Sequence, residues 1–128
     1  MFKDAKNTKL IPIYAEIIDS HEVRNAFCLI MGLSATLKTF YCYPQQKGTV
    51  NDFRFFSKNN EQEFAFIPNK KWLLFYFRKP ALEKSKYSFN TLKEIFESAN
   101  NIKQRGEWTV RLYSINDVNH LWKYLDLK

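Results

Sequence analysis

The stretch from Trp72 to Phe77 constrains the fold more than any other part of the chain. Side chains of an extended strand alternate between its two faces, and here both faces are apolar. Trp72, Leu74 and Tyr76 share one face, and Leu73, Phe75 and Phe77 share the other. A strand of this kind lies in the centre of a sheet and is covered on both sides, at least in part. Residues 71–79 are therefore predicted to form a central strand that ends at Pro80.

Further strands are predicted on either side of this one. Residues 52–57 and 63–67 read as strands, and turn-forming residues follow each of them, at Asn59-Asn60-Glu61 and Pro68-Asn69-Lys70. Residues 107–113 alternate again, with Trp108, Val110 and Leu112 directed inward and Thr109, Arg111 and Tyr113 directed outward. The pattern predicts an antiparallel meander and one later strand.

Three helices are predicted from caps and apolar stripes. Asp19 and Glu22 have capping-box spacing, Ser88 is a good N-cap, and Ser114 with Asp117 forms a second capping box. The stripes that follow these caps comprise Val23, Ala26, Phe27, Ile30 and Met31, then Phe89, Leu92, Ile95, Phe96 and Ala99, then Ile115, Val118, Leu121, Trp122 and Leu125.

The N-terminal third of the chain gives a weaker pattern. Residues 1–9 are polar and predict a loose lead-in, and residues 13–18 predict a short edge strand after Pro12. Residues 33–43 fit either more helix or a strand, and residues 44–49 predict a loop. Without an internal repeat or linker, residues 1–128 are expected to form a single α+β domain: a mostly antiparallel sheet, the β-meander plus one later strand, with about three packed helices.

The chain is basic, with 20 Lys and Arg against 13 Asp and Glu and a formal net charge of +7. Such a balance attracts polyanions at long range, nucleic acid above all, although it also serves solubility. No apolar stretch reaches the length of about 18 residues that a membrane span needs, so no membrane partner is expected. Cys28 and Cys42 lack a paired motif, and no apolar signal segment precedes them, so we expect reduced core thiols in a cytoplasmic protein.

No catalytic, metal or cofactor site is predicted. His21 and His120 lack partners at metal-ligand spacing, and a cysteine–histidine pair has no local support. A metal-dependent nuclease of the restriction type carries Glu-x-Lys, whereas Glu63 is followed by Phe64 and Ala65. These acidic residues read as solvated turn charges.

Basic residues next to aromatic ones suggest a binding surface instead. Basic side chains hold phosphates, and aromatic rings stack on bases. The predicted nucleic-acid-binding residues are Arg54, Lys70, Lys71, Tyr76, Arg78, Lys79, Arg111 and Tyr113. The alternative is that the aromatic residues fill the core and the charges form a soluble rim.

A family resemblance adds to this interpretation. The runs Trp72-Leu73-Leu74-Phe75-Tyr76-Phe77-Arg78-Lys79-Pro80 and Gly106-Glu107-Trp108-Thr109-Val110-Arg111-Leu112, with Asp117-Val118, resemble a family of small domains labelled predicted transport proteins. Many of these domains are appended to restriction and phage-defence nucleases. The resemblance covers residues 50–125 and transfers no catalytic residue. It implies a restriction-like accessory domain that contacts nucleic acid or a nuclease partner.

Three functional hypotheses follow in order of preference. The first is a non-enzymatic nucleic-acid-binding module that serves DNA restriction or phage defence, with DNA favoured over RNA. The second is a protein-interaction domain, such as an inhibitor, immunity factor or complex subunit, whose basic face meets an acidic partner. The third is a small metal-dependent nuclease that would use Asp52 or Glu63.

Overall fold

The computed structural model describes residues 1–2 and 7–128, which form a six-stranded antiparallel sheet and five helices. The sheet order is β1-β2-β3-β4-β6-β5. The elements are α1 (Leu10–Ile17), α2 (His21–Ala35), β1 (Phe40–Lys47), β2 (Val50–Ser57), β3 (Gln62–Pro68), β4 (Leu73–Phe77), α3 (Lys79–Leu82), α4 (Phe89–Ile95), β5 (Asn100–Ile102), β6 (Glu107–Leu112) and α5 (Ile115–Leu125). The predicted α+β class with a mostly antiparallel sheet is confirmed.

The meander lies where the alternation predicts it. Strands β2, β3 and β4 pair in sequence, and β6 adds to the free side of β4. Leu73, Phe75 and Phe77 of β4 are fully buried. The register shifts between Phe55 and Phe56, where β3 contributes one residue more than β2.

Helices cover one face of the sheet and form the core with it. Ring contacts join Phe27 of α2 to Phe66, Trp122 of α5 to Phe55, and Phe89 of α4 to Trp108. Each fully buried phenylalanine contributes about 1.5–3 kcal/mol relative to an exposed one. The core is therefore an aromatic layer between the sheet and the helices.

The predicted edge strand at residues 13–18 is wrong, because this segment belongs to α1. Pro12 lies in the first helical turn, where a missing backbone N–H costs no hydrogen bond. Leu10, Tyr14 and Ile18 are buried at helical spacing. The Tyr14 hydroxyl lies 2.8 Å from the carbonyl oxygens of both Gln45 and Asp52.

Two of the three predicted N-caps are confirmed. Ser88 accepts a hydrogen bond from the Thr91 amide, and Ser114 accepts one from the Asp117 amide. The first helix of the prediction begins one residue later than expected, since Ser20 rather than Asp19 accepts from the Val23 amide. A hydroxyl cap satisfies an amide that has no partner within the helix.

The predicted loop at residues 44–49 is also wrong. Strand β1 extends to Lys47, and a hairpin turn at Gly48, with φ +62°, leads into β2. Pro44 pairs with Phe53, and β1 tolerates a proline because it lies near the edge of the sheet. Residues 33–43 divide into the end of α2 and the start of β1. Strand β5, at the other edge, was not predicted.

The two cysteines differ in environment. Cys42 is buried, and burial raises the pKa of its thiol to about 12. Cys28 is exposed, so the prediction that both cysteines lie in the core is wrong for Cys28.

The predicted lead-in at residues 1–9 is only partly described, because residues 3–6 lie outside the described residues. Phe2 forms an isolated parallel β-bridge with Cys42, and Asn7 and Lys9 belong to a turn before α1. None of the described helices is long and apolar enough to cross a membrane.

Candidate functional site

The second face of the sheet carries the candidate site, and we call it the open face. The strand register places Tyr43, Arg54, Ala65, Tyr76 and Thr109 in one row across five strands. These side chains point away from the helices, because their neighbours along each strand point into the aromatic core. In the described part of the chain, the ring contacts between helices and sheet are made with the opposite face.

A cleft of about 510 Å³ crosses the open face diagonally. The buried side chain of Ala65 lies at its centre, between larger side chains of the neighbouring strands. The lining residues come from β2, β3, β4, β6 and the β5–β6 turn, and they are Val50, Asp52, Ala65, Ile67, Tyr76, Arg78, Arg105 and Glu107. A small residue at the centre of a sheet leaves room for a ligand close to the backbone.

Two arginine–carboxylate pairs lie on the open face. Arg54 Nε lies 2.9 Å from Asp52 Oδ2, and Arg78 Nε lies 2.6 Å from Glu107 Oε2. The carboxylate side chains are only 9% and 8% exposed, respectively, so the arginines neutralise charges that would otherwise be costly to bury. A guanidinium has five N–H donors, so one contact to a carboxylate oxygen does not exhaust it.

One carboxylate oxygen of these pairs is unsatisfied. Asp52 Oδ1 is buried and has no hydrogen-bond partner among residues 1–2 and 7–128. Nearby, burial raises the pKa of the Tyr76 hydroxyl, and the negative charge of Glu107 raises it further. Tyr76 is therefore neutral at physiological pH, and it brings an apolar ring with a polar tip to the cleft.

The β5–β6 turn supplies the exposed cation of the cleft. Gly106, with φ +63°, adopts a left-handed conformation that glycine accepts without strain. Arg105 precedes it and is exposed, and it has no ion-pair partner within the described residues. A Cβ at Gly106 would lie 3.8 Å from the Lys79 side chain, so Lys79 lies beside this turn.

Aromatic side chains flank the cleft on both sides. At one side, Arg111 Cζ lies 4.2 Å from the centroid of the Trp72 ring, and Tyr113 contacts the same ring at 6.3 Å between centroids. Towards the β1 edge, Tyr43 and Phe56 stack with an interplanar angle of 5° and centroids 5.3 Å apart. Tyr113 is 42% exposed, so part of this aromatic surface is available to a ligand.

The structure brings together five of the eight predicted binding residues. Arg54, Tyr76, Arg78, Arg111 and Tyr113 share the open face. Lys79 lies at its rim, by the β5–β6 turn.

The remaining two predicted residues, Lys70 and Lys71, lie in the β3–β4 turn next to the helical layer. The Lys70 carbonyl accepts a hydrogen bond from the Asp19 amide, and Lys71 Nζ lies 3.8 Å from Asp19 Oδ2. Neither lysine lines the cleft.

The eight predicted binding residues do not include Arg105 and Glu107, which line the cleft, or Trp72, whose ring contacts Arg111. The two carboxylates of the nuclease hypothesis lie in different places. Asp52 lines the cleft, whereas Glu63 pairs with Lys84 on the helical side. There, burial raises the pKa of Tyr87, and the negative charge of Glu63 raises it further. Within the described ranges, no group of three or more His, Cys, Asp and Glu side chains could hold a metal ion.

No protein-family model, no curated protein and no solved structure matches this chain. The resemblance to the predicted transport proteins stays a prediction.

Proposed function

We propose that the chain is a non-enzymatic nucleic-acid-binding module of the cytoplasm, an accessory to DNA restriction or phage defence, that holds a single strand across the open face. The observation that carries the proposal is the cleft itself, with arginines inside it and aromatic rings on both sides. Proteins that bind single strands combine basic grooves with rings on which bases stack.

A single strand fits this surface better than a duplex does. Aromatic stacking requires bases that are free of their neighbours, and the bases of a duplex are already stacked. Tyr76, Trp72 and Tyr113 present rings from a sheet rather than from a helix that would enter a major groove. DNA is favoured over RNA because the resemblance points to restriction systems.

The arginines supply the phosphate contacts of the proposal. Arg105 and Arg111 have no ion-pair partner within the described residues, although Arg111 lies on the Trp72 ring. Arg54 and Arg78 add the donors that their carboxylates leave unused. Four arginines and two carboxylates give the open face a net charge of about +2 by this count.

The modest net charge also favours a second candidate, a protein-interaction domain. Asp52 and Glu107 reduce the positive charge of the cleft, and mixed charges are what a complementary protein surface presents. This candidate predicts a partner protein that stays bound through nuclease treatment during purification.

The deciding experiment is fluorescence-anisotropy binding to single- and double-stranded DNA and RNA, at low and near-physiological salt. We expect salt-sensitive binding to single strands that the double variant Arg105→Ala/Arg111→Ala weakens. The charge-matched control is Lys38→Ala/Lys123→Ala, which removes two exposed lysines from α5 and the segment before β1. Absence of binding at low salt, or equal weakening by the control, contradicts the proposal.

A further inference from the structure

The two ends of the cleft differ in charge. At the β5–β6 turn, Arg105 and Lys79 are both exposed, and neither has an ion-pair partner among residues 1–2 and 7–128. Carbon atoms of the Lys79 side chain lie 3.8 Å from the position that a Gly106 Cβ would occupy, so the start of α3 meets the turn here. At the opposite end, Arg54 neutralises the carboxylate of Asp52. Uncompensated positive charge is therefore concentrated beside the turn, and we call this part of the cleft the basic end.

Arg78 and Tyr76 add hydrogen-bond donors to the basic end. Arg78 Nε lies 2.6 Å from Glu107 Oε2, but the Arg78 side chain is 40% exposed, so its guanidinium keeps donors for a ligand. Burial raises the pKa of the Tyr76 hydroxyl, and the charges of Glu107, Arg105 and Arg78 also act on it, so these groups lie within electrostatic reach of the hydroxyl. The neutral hydroxyl is a donor. Two guanidinium groups and one hydroxyl thus line the same end of the cleft.

The carboxylates nearest to Arg78 are both compensated. The Glu107 side chain is only 8% exposed and is bound by Arg78 itself. The Glu63 carbonyl accepts a hydrogen bond from the Arg78 amide, but the Glu63 side chain is 7% exposed and pairs with Lys84. Neither carboxylate presents an uncompensated negative charge to an anion at the basic end.

We propose that the basic end binds the terminal phosphate of the nucleic-acid strand, a phosphate monoester. Arg78 and Arg105 donate hydrogen bonds to its oxygens, the Tyr76 hydroxyl adds a further donor, and Lys79 contributes charge at the rim. The inference rests on the proposed function, since it uses the same cleft and adds a preference for strands with a phosphorylated end.

The charge of the ligand sets this preference. A phosphodiester within a strand carries one negative charge, whereas a phosphate monoester carries about 1.5 to 2 at pH 7 and offers three strong acceptor oxygens. Arg105 and Lys79 together supply two positive charges that no carboxylate of the described residues cancels. A guanidinium also binds two oxygens of one phosphate through its planar fork of donors. The basic end therefore matches a monoester better than a diester in both charge and donors.

The test compares anisotropy binding of single strands of about 12 nucleotides that carry the label on an internal base. One strand has a 5′-phosphate, one has a 3′-phosphate and one has hydroxyl groups at both ends. A fourth strand, with hydroxyl ends and one more nucleotide, has the same number of phosphates as the phosphorylated strands. We expect a phosphorylated strand to bind about tenfold more tightly than this longer hydroxyl strand.

Three variants locate the preference. Lys79→Ala/Arg105→Ala should abolish the ratio between phosphorylated and hydroxyl strands, whereas the charge-matched Lys38→Ala/Lys123→Ala should keep it. Arg111→Ala should weaken all four strands alike and also keep the ratio, since Arg111 does not line the cleft.

Arg105→Ala alone should lower the ratio, and this single variant keeps the proposal testable if the double variant does not fold. Equal binding of the phosphorylated strands and the longer hydroxyl strand, or a ratio that survives in the basic-end variants, overturns the terminal-phosphate site and leaves the nucleic-acid proposal standing. Absence of binding to all four strands at low salt overturns both.

Discussion

The salt dependence of binding is the sharpest expectation from the open face, and Arg105 and Arg111 are the residues to change. Both arginines are exposed, and neither has an ion-pair partner within the described residues. Replacing them with alanine removes positive charge without leaving a buried carboxylate unpaired. The paired Arg54 and Arg78 are less suitable, since their loss would also destabilise Asp52 and Glu107.

The magnitude follows from the two arginines of the open face that have no carboxylate partner among the described residues, Arg105 and Arg111, since Asp52 and Glu107 already neutralise Arg54 and Arg78. For a single strand, the slope of log affinity against log salt is about −0.7 per phosphate contact, so two contacts give about −1.4. The double variant retains neither contact and should give a slope of about 0. Between about 50 and about 200 mM salt, the wild type should lose about sevenfold in affinity and the variant almost none.

The assay is fluorescence anisotropy with a labelled strand of about 12 nucleotides, titrated at four or more salt concentrations. The control Lys38→Ala/Lys123→Ala carries the same net charge as the double variant and should keep the slope of the wild type. The reasoning is refuted if the double variant keeps the full slope. It is also refuted if Lys70→Ala/Lys71→Ala lowers the slope instead, since that result would place the interface at the β3–β4 turn.

Two further predictions concern stability and thiol chemistry. Tyr14→Phe should lower the free energy of unfolding by about 1–3 kcal/mol in denaturant titrations, because the carbonyls of Gln45 and Asp52 lose their hydrogen-bond donor. Tyr41 is exposed, so the control Tyr41→Phe should change the free energy of unfolding by no more than about 0.5 kcal/mol. At pH 8 a thiol reagent should label Cys28 in the folded chain and Cys42 only on unfolding. Burial raises the pKa of Cys42 from 9.0 to about 12, so its contribution to stability is complete below pH 9 and is lost as the pH rises towards 12. In Cys42→Ala the free energy of unfolding should fall less steeply between pH 9 and pH 12 than in the wild type. An equally steep fall in the variant would contradict the raised pKa of Cys42.

The elements that the sequence predicts correctly are those whose signals are local. Strands β2, β3, β4 and β6 alternate with a period of two and are bounded by Asn, Pro and Gly, so no distant contact is needed to recognise them. The failures have equally physical causes. Pro12 normally indicates that a helix is interrupted, and it is compatible with α1 only because the helix begins at Leu10, just before it. The polar residues at the end of β1 indicate a loop by themselves, and only their pairing with β2 makes them a strand.

The candidate site is only partly predictable for the same reason. Asp52 and Arg54 are two residues apart in a predicted strand, so their shared face follows from the sequence. The interpretation of Asp52 as a solvated turn charge is wrong, because Asp52 is buried and pairs with Arg54. The pair between Arg78 and Glu107 depends on the register of β4 against β6, and the position of Arg105 depends on the unpredicted strand β5. Register is a property of two strands together, and a pattern within one strand does not determine it.

The two faces of β4 and of Trp72, the residue before it, differ in what covers them, and this difference supports the proposed function. Leu73, Phe75 and Phe77 are sealed by helices, as their apolar character predicts. Trp72 and Tyr76 on the other face are only half-buried, and in the described part of the chain their cover is a set of side chains from neighbouring strands, such as Arg111 on the Trp72 ring. Aromatic rings on an uncovered sheet lose much of the stabilisation that burial would bring, so stability alone gives little reason to place them there. A strand of nucleic acid laid over these rings would complete their burial, and the neighbouring arginines would meet its charge.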